Sequence, residues 1–321
     1  MKKALFCALS LVSFAGPAVV EAQAPVDSTG IKLLFQRKFA EAEAFFESAL
    51  KASPGDPELH YWEARALLYN HRADDAEDEI DKALEINDRV ARYHYMRGQI
   101  LGERAMNSNI FKQGILAPKV KNAFLRAAEL DPGMVEAHVG LYNYYVMAPG
   151  IMGGSDEEAL RQAEIVTTLD APRGHILLAN YHQHKNEPGL AEEELKKSIA
   201  AAPQRTSGYK MLGYLYVSEG KFDPAVEQFA KYVALDPKNP DAYDSYGDAL
   251  YEQGKYDEAI EKYSLALSID RNFSSSIFRL GNCYEMKGMK DRAVEHYRRY
   301  LSVDPSGRNA ETAQKKIKEL S

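Results

Sequence analysis

Cysteine is nearly missing from this chain of 321 residues, which has only Cys7 and Cys283. Cys7 lies in an apolar N-terminal segment, so the rest of the chain holds a single thiol. That excludes an intramolecular disulfide and an all-cysteine metal site there. Cys283 reads as a small packed residue, because no motif for thiol chemistry lies near it. Beyond the first residues no apolar run is long enough to span a bilayer. The chain also lacks GxSxG, HExxH and a phosphate-binding Gly-Lys-Ser/Thr. No catalytic residue, cofactor or metal is expected, and the chain does not read as an enzyme. Surplus positive charge is absent too. The net charge of −7 argues against nucleic acid or an anionic membrane as partner.

The chain begins MKKALFCALSLVSFAGPAVVEAQA. Lys2 and Lys3 make a positive start, Ala4 to Phe14 an apolar stretch, and Val20-Glu21-Ala22 a small-residue cleavage site. This pattern is a secretory signal peptide over 1–22, too short and wrongly flanked for a membrane span. Cleavage after Ala24 would leave Pro25 at the terminus, so the cut is placed after Ala22. Cys7 comes too early for a lipoprotein site. The mature chain is expected to be soluble, periplasmic or secreted, with no transmembrane segment, and the Lys-Lys start looks bacterial. Losing Lys2, Lys3 and Glu21 takes the net charge from −7 to −8.

Helical periodicity fills the remainder. In PDAYDSYGDALYEQGKYDEAIEKYSLALSIDR, from Pro240 to Arg271, Tyr243, Tyr246, Gly247 and Leu250 share one helix face. Gly254 stands where a helix needs a left-handed exit. Ala259, Tyr263, Ala266 and Leu267 share a face of a second helix. Each helix is about a dozen residues and marginal alone, so the pair must lean on neighbours. The pattern returns at a period of 34: Leu280, Gly281, Tyr284, Ala293 and Tyr297 on one side, and Leu212, Gly213, Tyr216, Ala225 and Phe229 on the other. A mid-helix glycine costs about 1 kcal/mol relative to alanine, so its recurrence predicts a close approach by the second helix.

A period of 34 with small, large and proline residues at these offsets resembles the tetratricopeptide (TPR) repeat. The resemblance covers nearly all of 23–305, and is strongest in the last three repeats. It implies an all-α, right-handed superhelical solenoid of about eight helix pairs, with the first helix of each pair lining a concave groove. Repeats end near residues 54, 88, 132, 171, 203, 237, 271 and 305. Arg308 to Leu320 reads as a polar capping helix within 306–321, with Ala310, Ala313 and Ile317 on one side. The third repeat carries about ten extra residues within ERAMNSNIFKQGILAPKV, placed in its turn, and the fourth about five, in APGIMGGS. The fifth is two residues short, which the reading places in its turn, HKNEPGL. This pairing of an enlarged third-repeat turn with PGIMGG also looks like a group of exported bacterial TPR proteins.

The resemblance implies groove-facing positions at Tyr61, Arg65, Tyr95, Gln99, Asn143, Tyr214, Asp244, Asp248 and Tyr251. Recurring tyrosines with polar neighbours favour recognition of an extended polypeptide, although tyrosines also pack between helices. Asp241, Asp244, Asp248 and Glu252 share one face, and form either a solvated stripe or a dock for a basic segment. The groove has no Lys/Asn/Arg set of the kind that clamps a terminal carboxylate. The two insertions should project from one edge, side by side, offering Phe111 and Lys112 from one and Pro149, Gly150, Met152, Gly153 and Gly154 from the other. They form a partner-binding edge, or a plug that merely closes the solenoid. Gly150 to Ser155 lies before a helix like an anion-binding loop, but Ser155 with Glu158 reads better as a capping box. His175 and His182 share a helix face and Glu136 could join them as a metal ligand, but the three read better as solvated or groove-lining groups. The expected function is an exported scaffold that binds another protein or an extended peptide. The alternative is a binder of a small ligand, peptide or glycan in the tyrosine-lined groove. Oligomeric state is not legible.

Overall fold

The computed structural model describes residues 28–321. The expected signal peptide therefore lies outside the described residues. The chain divides into two compact units, one through Leu116 and one from Ala117 onward.

Seventeen α-helices and one 3-10 turn make up the regular structure of the described residues. In the first unit these are α1 (Ser28–Phe35), α2 (Phe39–Ala52), α3 (Pro57–Tyr69), α4 (Ala73–Ile86) and α5 (Ala91–Met106). Helix α6 (Ile110–Leu130) runs through the division. The second unit continues with α7 (Val135–Met147), α8 (Asp156–Leu169), α9 (Ala171–His184), α10 (Pro188–Ala201), α11 (Thr206–Ser218) and α12 (Phe222–Leu235). It ends with α13 (Pro240–Glu252), α14 (Tyr256–Ile269), α15 (Ser274–Met286), α16 (Lys290–Val303) and α17 (Ala310–Leu320). Each helix packs on the next in chain order, from α1 to α5 and again from α7 to α17. First helices of neighbouring pairs also touch: α3 with α5, and α9, α11, α13 and α15 in series.

Local chemistry sets the helix starts. Asp56 accepts from Glu58 N at 2.9 Å and Asn239 from Asp241 N at 3.1 Å, with Pro57 and Pro240 following as first helical residues. Ser155 accepts from Glu158 N at 3.2 Å, as a capping residue should. Within a pair the close glycine contact is real. A Cβ on Gly247 would lie 2.6 Å from the Tyr263 ring, on Gly213 2.7 Å from Phe229, and on Gly281 2.6 Å from Tyr297. The three rings are fully buried. Gly254 turns the chain at φ 80°, and Arg37, His71 and Asn186 hold the same kind of turn at φ 60–62° without being glycine. Helix α17 closes the series, with Ala310 and Ala313 buried in the last core cluster and Ile317 and Leu320 packed beside them.

Two expected irregularities sit elsewhere. The third repeat does not have an enlarged turn. Only Asn107–Asn109 joins α5 to α6, the same length as Lys185–Glu187 or Gln253–Lys255. Asn109 accepts from Lys112 N at 3.0 Å and starts α6 there, so the extra residues lengthen the helices. Pro118, within the inserted segment, lies inside α6. The fifth repeat is not shortened in HKNEPGL either. The loss falls between repeats, where Asp170 alone both ends α8 and caps α9, against four residues at Ala202–Arg205 or Asp236–Asn239. Such an abrupt return brings the two helices very close. A Cβ on Gly174 would lie 2.3 Å from the Thr167 backbone, so only glycine fits.

Candidate protein-binding face

In the first unit, α3 and α5 bring arginine and aromatic side chains together. Arg65 lies over Trp62 at 5.4 Å and over Tyr69 at 5.9 Å. Tyr69 stacks on Phe39 at 4.9 Å and remains 44% exposed. Arg92 lies over Tyr61 at 5.5 Å and Tyr93 at 5.7 Å. Glu58 accepts from both Arg92 and the Tyr93 hydroxyl. Tyr61 itself is buried against Tyr93, so of the expected groove residues here Arg65, Tyr95 and Gln99 keep accessible surface. These contacts fix long side chains in advance, which lowers the ordering cost of binding.

The second unit uses its expected groove residues differently. Asn143 and Tyr251 are half-buried. Tyr214 shares a hydrogen bond with Ser245 at 2.9 Å, and burial raises its hydroxyl well above the ordinary range. Asp244 and Asp248 are interior, at 5% and 9% exposure. Asp244 accepts from Ser275 at 2.8 Å and Ser276 at 2.6 Å. Asp248 accepts from Tyr263 at 2.8 Å and pairs with Arg279 at 3.0 Å. Asp241 takes Lys210 at 2.6 Å. Asp244 and Asp248 are therefore neither a solvated face nor an open dock, Asp241 is half-buried and paired, and only Glu252 of the stripe stays exposed. The stripe's donors come from Lys210 on α11, Tyr232 on α12, Tyr263 on α14, and Ser275, Ser276 and Arg279 on α15. Burial, then the Asp248 charge, push the Asp244 carboxyl up to about 7. Burial also raises Asp248, against the pull of Arg279.

The two insertion segments are each distinct. Phe111 and Lys112 sit on the first turn of α6, not in a loop, and Phe111 is 83% exposed beside exposed Ile110 and Ile115. The Pro149–Gly154 segment is a folded turn: Met152 N donates to Pro149 O at 2.7 Å, and Tyr144 donates to Met152 O. Gly153 takes φ 92°, and a Cβ on Gly154 would lie 1.8 Å from Ala148 O. Ile151 at its tip is 95% exposed.

The remaining candidates have local partners. His175 bonds Glu194 at 2.7 Å, His182 bonds Glu187 at 2.8 Å, and Glu136 pairs with Arg173 at 3.1 Å. Cys283 is fully buried, and burial pushes its thiol up to about 12. No helix of the described residues is long and apolar enough to cross a membrane. Arg92 stands at a place that the repeat pattern turns inward, whereas sequence reasoning missed Trp62 and Tyr93. Their signal was the arginine–aromatic spacing on α3 and α5, one position away from the expected groove places.

The comparisons with known proteins agree with this architecture. Tetratricopeptide-repeat family models match residues 33–100, 210–277 and 275–306. No curated protein matches by sequence. Among solved structures, yeast Tom70 is similar with a TM-score of 0.73 at 15% identity, over 95% of this chain and 66% of that one. The APC/C hetero-tetramer Cut9–Hcn1 is similar with a TM-score of 0.52 at 16% identity, over 91% of this chain and 54% of that one. The chain thus spans just under two thirds of the first of these and about half of the second. TPR folds are in general non-catalytic scaffolds for protein–protein interaction. Helix pairs stacked in order, glycines seated on buried rings, and family matches over about half the chain lead to one conclusion: this protein belongs to the tetratricopeptide-repeat family.

Proposed function

We propose that this protein is an exported scaffold, without catalytic activity, that binds an extended segment of another protein. The observation that carries this reading is the arginine–aromatic face of α3 and α5, where Trp62 and Tyr69 hold Arg65, and Tyr61 and Tyr93 hold Arg92. Arginine, tyrosine and tryptophan dominate binding energy at protein interfaces when they are rigid and desolvate on contact. Export rests on the charged, apolar and small-residue pattern of residues 1–22. The exposed apolar residues at the start of α6, and separately Ile151, supply further contact surface. The net negative charge argues for a protein partner over nucleic acid.

The test is isolation of the protein from the exported fraction of its native source under mild conditions. The expected result is a stoichiometric complex with another protein, and a terminus that begins at Gln23. Recovery without protein partners, together with thermal stabilisation by a saccharide, would overturn the reading.

A further inference from the structure

One core slot of the first unit holds a carboxylate. In other first helices, the residue before the small packing position is Leu212, Tyr246 or Leu280, ahead of Gly213, Gly247 and Gly281. Leu212 and Leu280 are each 3% exposed. Ahead of Ala64 that residue is Glu63, which is 6% exposed. Its Oε2 is buried with no hydrogen-bond partner. The matching residue ahead of Gly98 is Arg97, and Asp81 answers its charge at 2.8 Å. Glu63 has no such counterpart.

The charges around Glu63 are mostly of its own sign. Burial raises its carboxyl most, then Glu43, Glu79 and Glu47 add to the effect while Arg72 opposes it, and the result is about 8. Arg72 is already held by Glu43 and Asp75. Glu79 is satisfied by His60 at 2.6 Å and Lys82 at 2.7 Å. Glu63 lines a cleft of about 300 Å³ together with Glu47, Asp78 and the apolar Leu67. In all, six carboxylates and two cations line it. A buried, unpartnered carboxyl is unfavourable to the fold, and such groups concentrate at binding sites.

We propose that this cleft binds a compact organic cation, an ammonium or guanidinium group on an alkyl stem, with Glu63 Oε2 as its buried acceptor. Leu67 gives the stem an apolar wall, and the surplus carboxylates attract the charge. Among the described residues, no three His, Cys, Asp or Glu groups converge to hold a metal ion, so the cation brings its own N–H donors. The cation is carried by a lysine or arginine side chain of a partner protein, or by a free amine. None of the expected groove residues lines the cleft, so the site is independent of the arginine–aromatic face.

The experiment is isothermal titration of the whole protein near pH 7. The probes are acetyl-Gly-Lys-Gly-amide, its arginine analogue, its norleucine analogue as neutral control, and cadaverine as a free amine. The cations should bind, the norleucine peptide should not, and salt should weaken binding. A carboxyl held near 8 must ionise to meet the cation, so binding should release close to one proton. That release appears as a dependence of the heat on the buffer's ionisation enthalpy. Glu63→Leu restores the apolar slot, and should weaken binding at least tenfold while raising the melting temperature. Glu63→Gln keeps the shape and should abolish both tight binding and proton release. Stronger binding of the peptides assigns the site to a partner side chain, and stronger binding of cadaverine assigns it to a free amine. The proposal is overturned if no cation binds, if both variants bind as well as the parent, or if calcium chloride displaces the cation one for one.

Discussion

The contact between Gly247 and Tyr263 allows a sharp perturbation. A methyl group at Gly247 would lie 2.6 Å from a ring carbon of Tyr263, well inside van der Waals contact. The ring cannot easily retreat. It is fully buried, and its hydroxyl donates to Asp248, which also pairs with Arg279. Gly247→Ala therefore sets two effects against each other. Mid-helix alanine gains about 1 kcal/mol over glycine. Overpacking a fixed core costs about 1–3 kcal/mol. The net expectation is a loss of up to about 2 kcal/mol, where an open helix would show a gain. Adding Tyr263→Ala separates the terms. That change alone should cost about 3–5 kcal/mol, but in its background Gly247→Ala should stabilise by about 1 kcal/mol. The coupling in this double-mutant cycle should then be about 1–3 kcal/mol. Urea unfolding followed by far-UV circular dichroism reads all four proteins. A stabilising Gly247→Ala in the parent would mean that these helices do not pair this way.

Gly174→Ala should cost more than Gly247→Ala, because backbone atoms of Thr167 stand 2.3 Å from the new Cβ and a side chain cannot swing aside; a melting temperature equal to the parent's would refute the tight α8–α9 turn. His71→Gly removes a left-handed strain of about 1–2 kcal/mol, offset partly by glycine's greater freedom when unfolded, so a small rise in melting temperature is expected. The folded-state pKa of Asp244 is raised from 3.8 to about 7, so its contribution to stability is fullest below 3.8 and is lost as pH rises toward 7. Asp244→Asn should flatten that part of the stability–pH curve, and an unchanged curve would show that the carboxyl titrates normally. Deleting residues 306–321 uncovers the core that Ala310 and Ala313 close, and should lower the melting temperature without unfolding the earlier pairs.

Much of the fold was legible because it rests on periodic packing. Gly213, Gly247 and Gly281 announced ring contacts that the structure contains, and Ser155 announced its cap. Boundaries were less legible where two signals competed. Asn107 to Asn109 and Pro118 read as a long turn, yet one Asn109 cap and the apolar Ile110, Ile115 and Leu116 are enough to start a helix. Spacing shows that the fifth repeat is two residues short, but spacing alone cannot separate a short turn from a short linker. The acidic stripe shows the deeper limit. Periodicity puts Asp241, Asp244 and Asp248 on one face, but not that Lys210, Ser275, Ser276 and Arg279 come to meet that face. Glu63 is harder to see because Ala64 and Leu67 keep the second repeat in pattern on their own, and the position before the small residue carries Leu212, Tyr246 or Leu280 only in the later copies.

The claim that matters most is that α3 and α5 present a preformed face for a partner protein. It is tested most directly by the affinity of the co-isolated partner for the parent, for Arg65→Ala and for Tyr69→Ala, with Lys290→Ala on α16 as control. Both face variants should bind at least tenfold more weakly, a loss of about 1.4 kcal/mol or more, while circular dichroism stays unchanged and the control binds like the parent. Parent-like affinity in both face variants would contradict the claim.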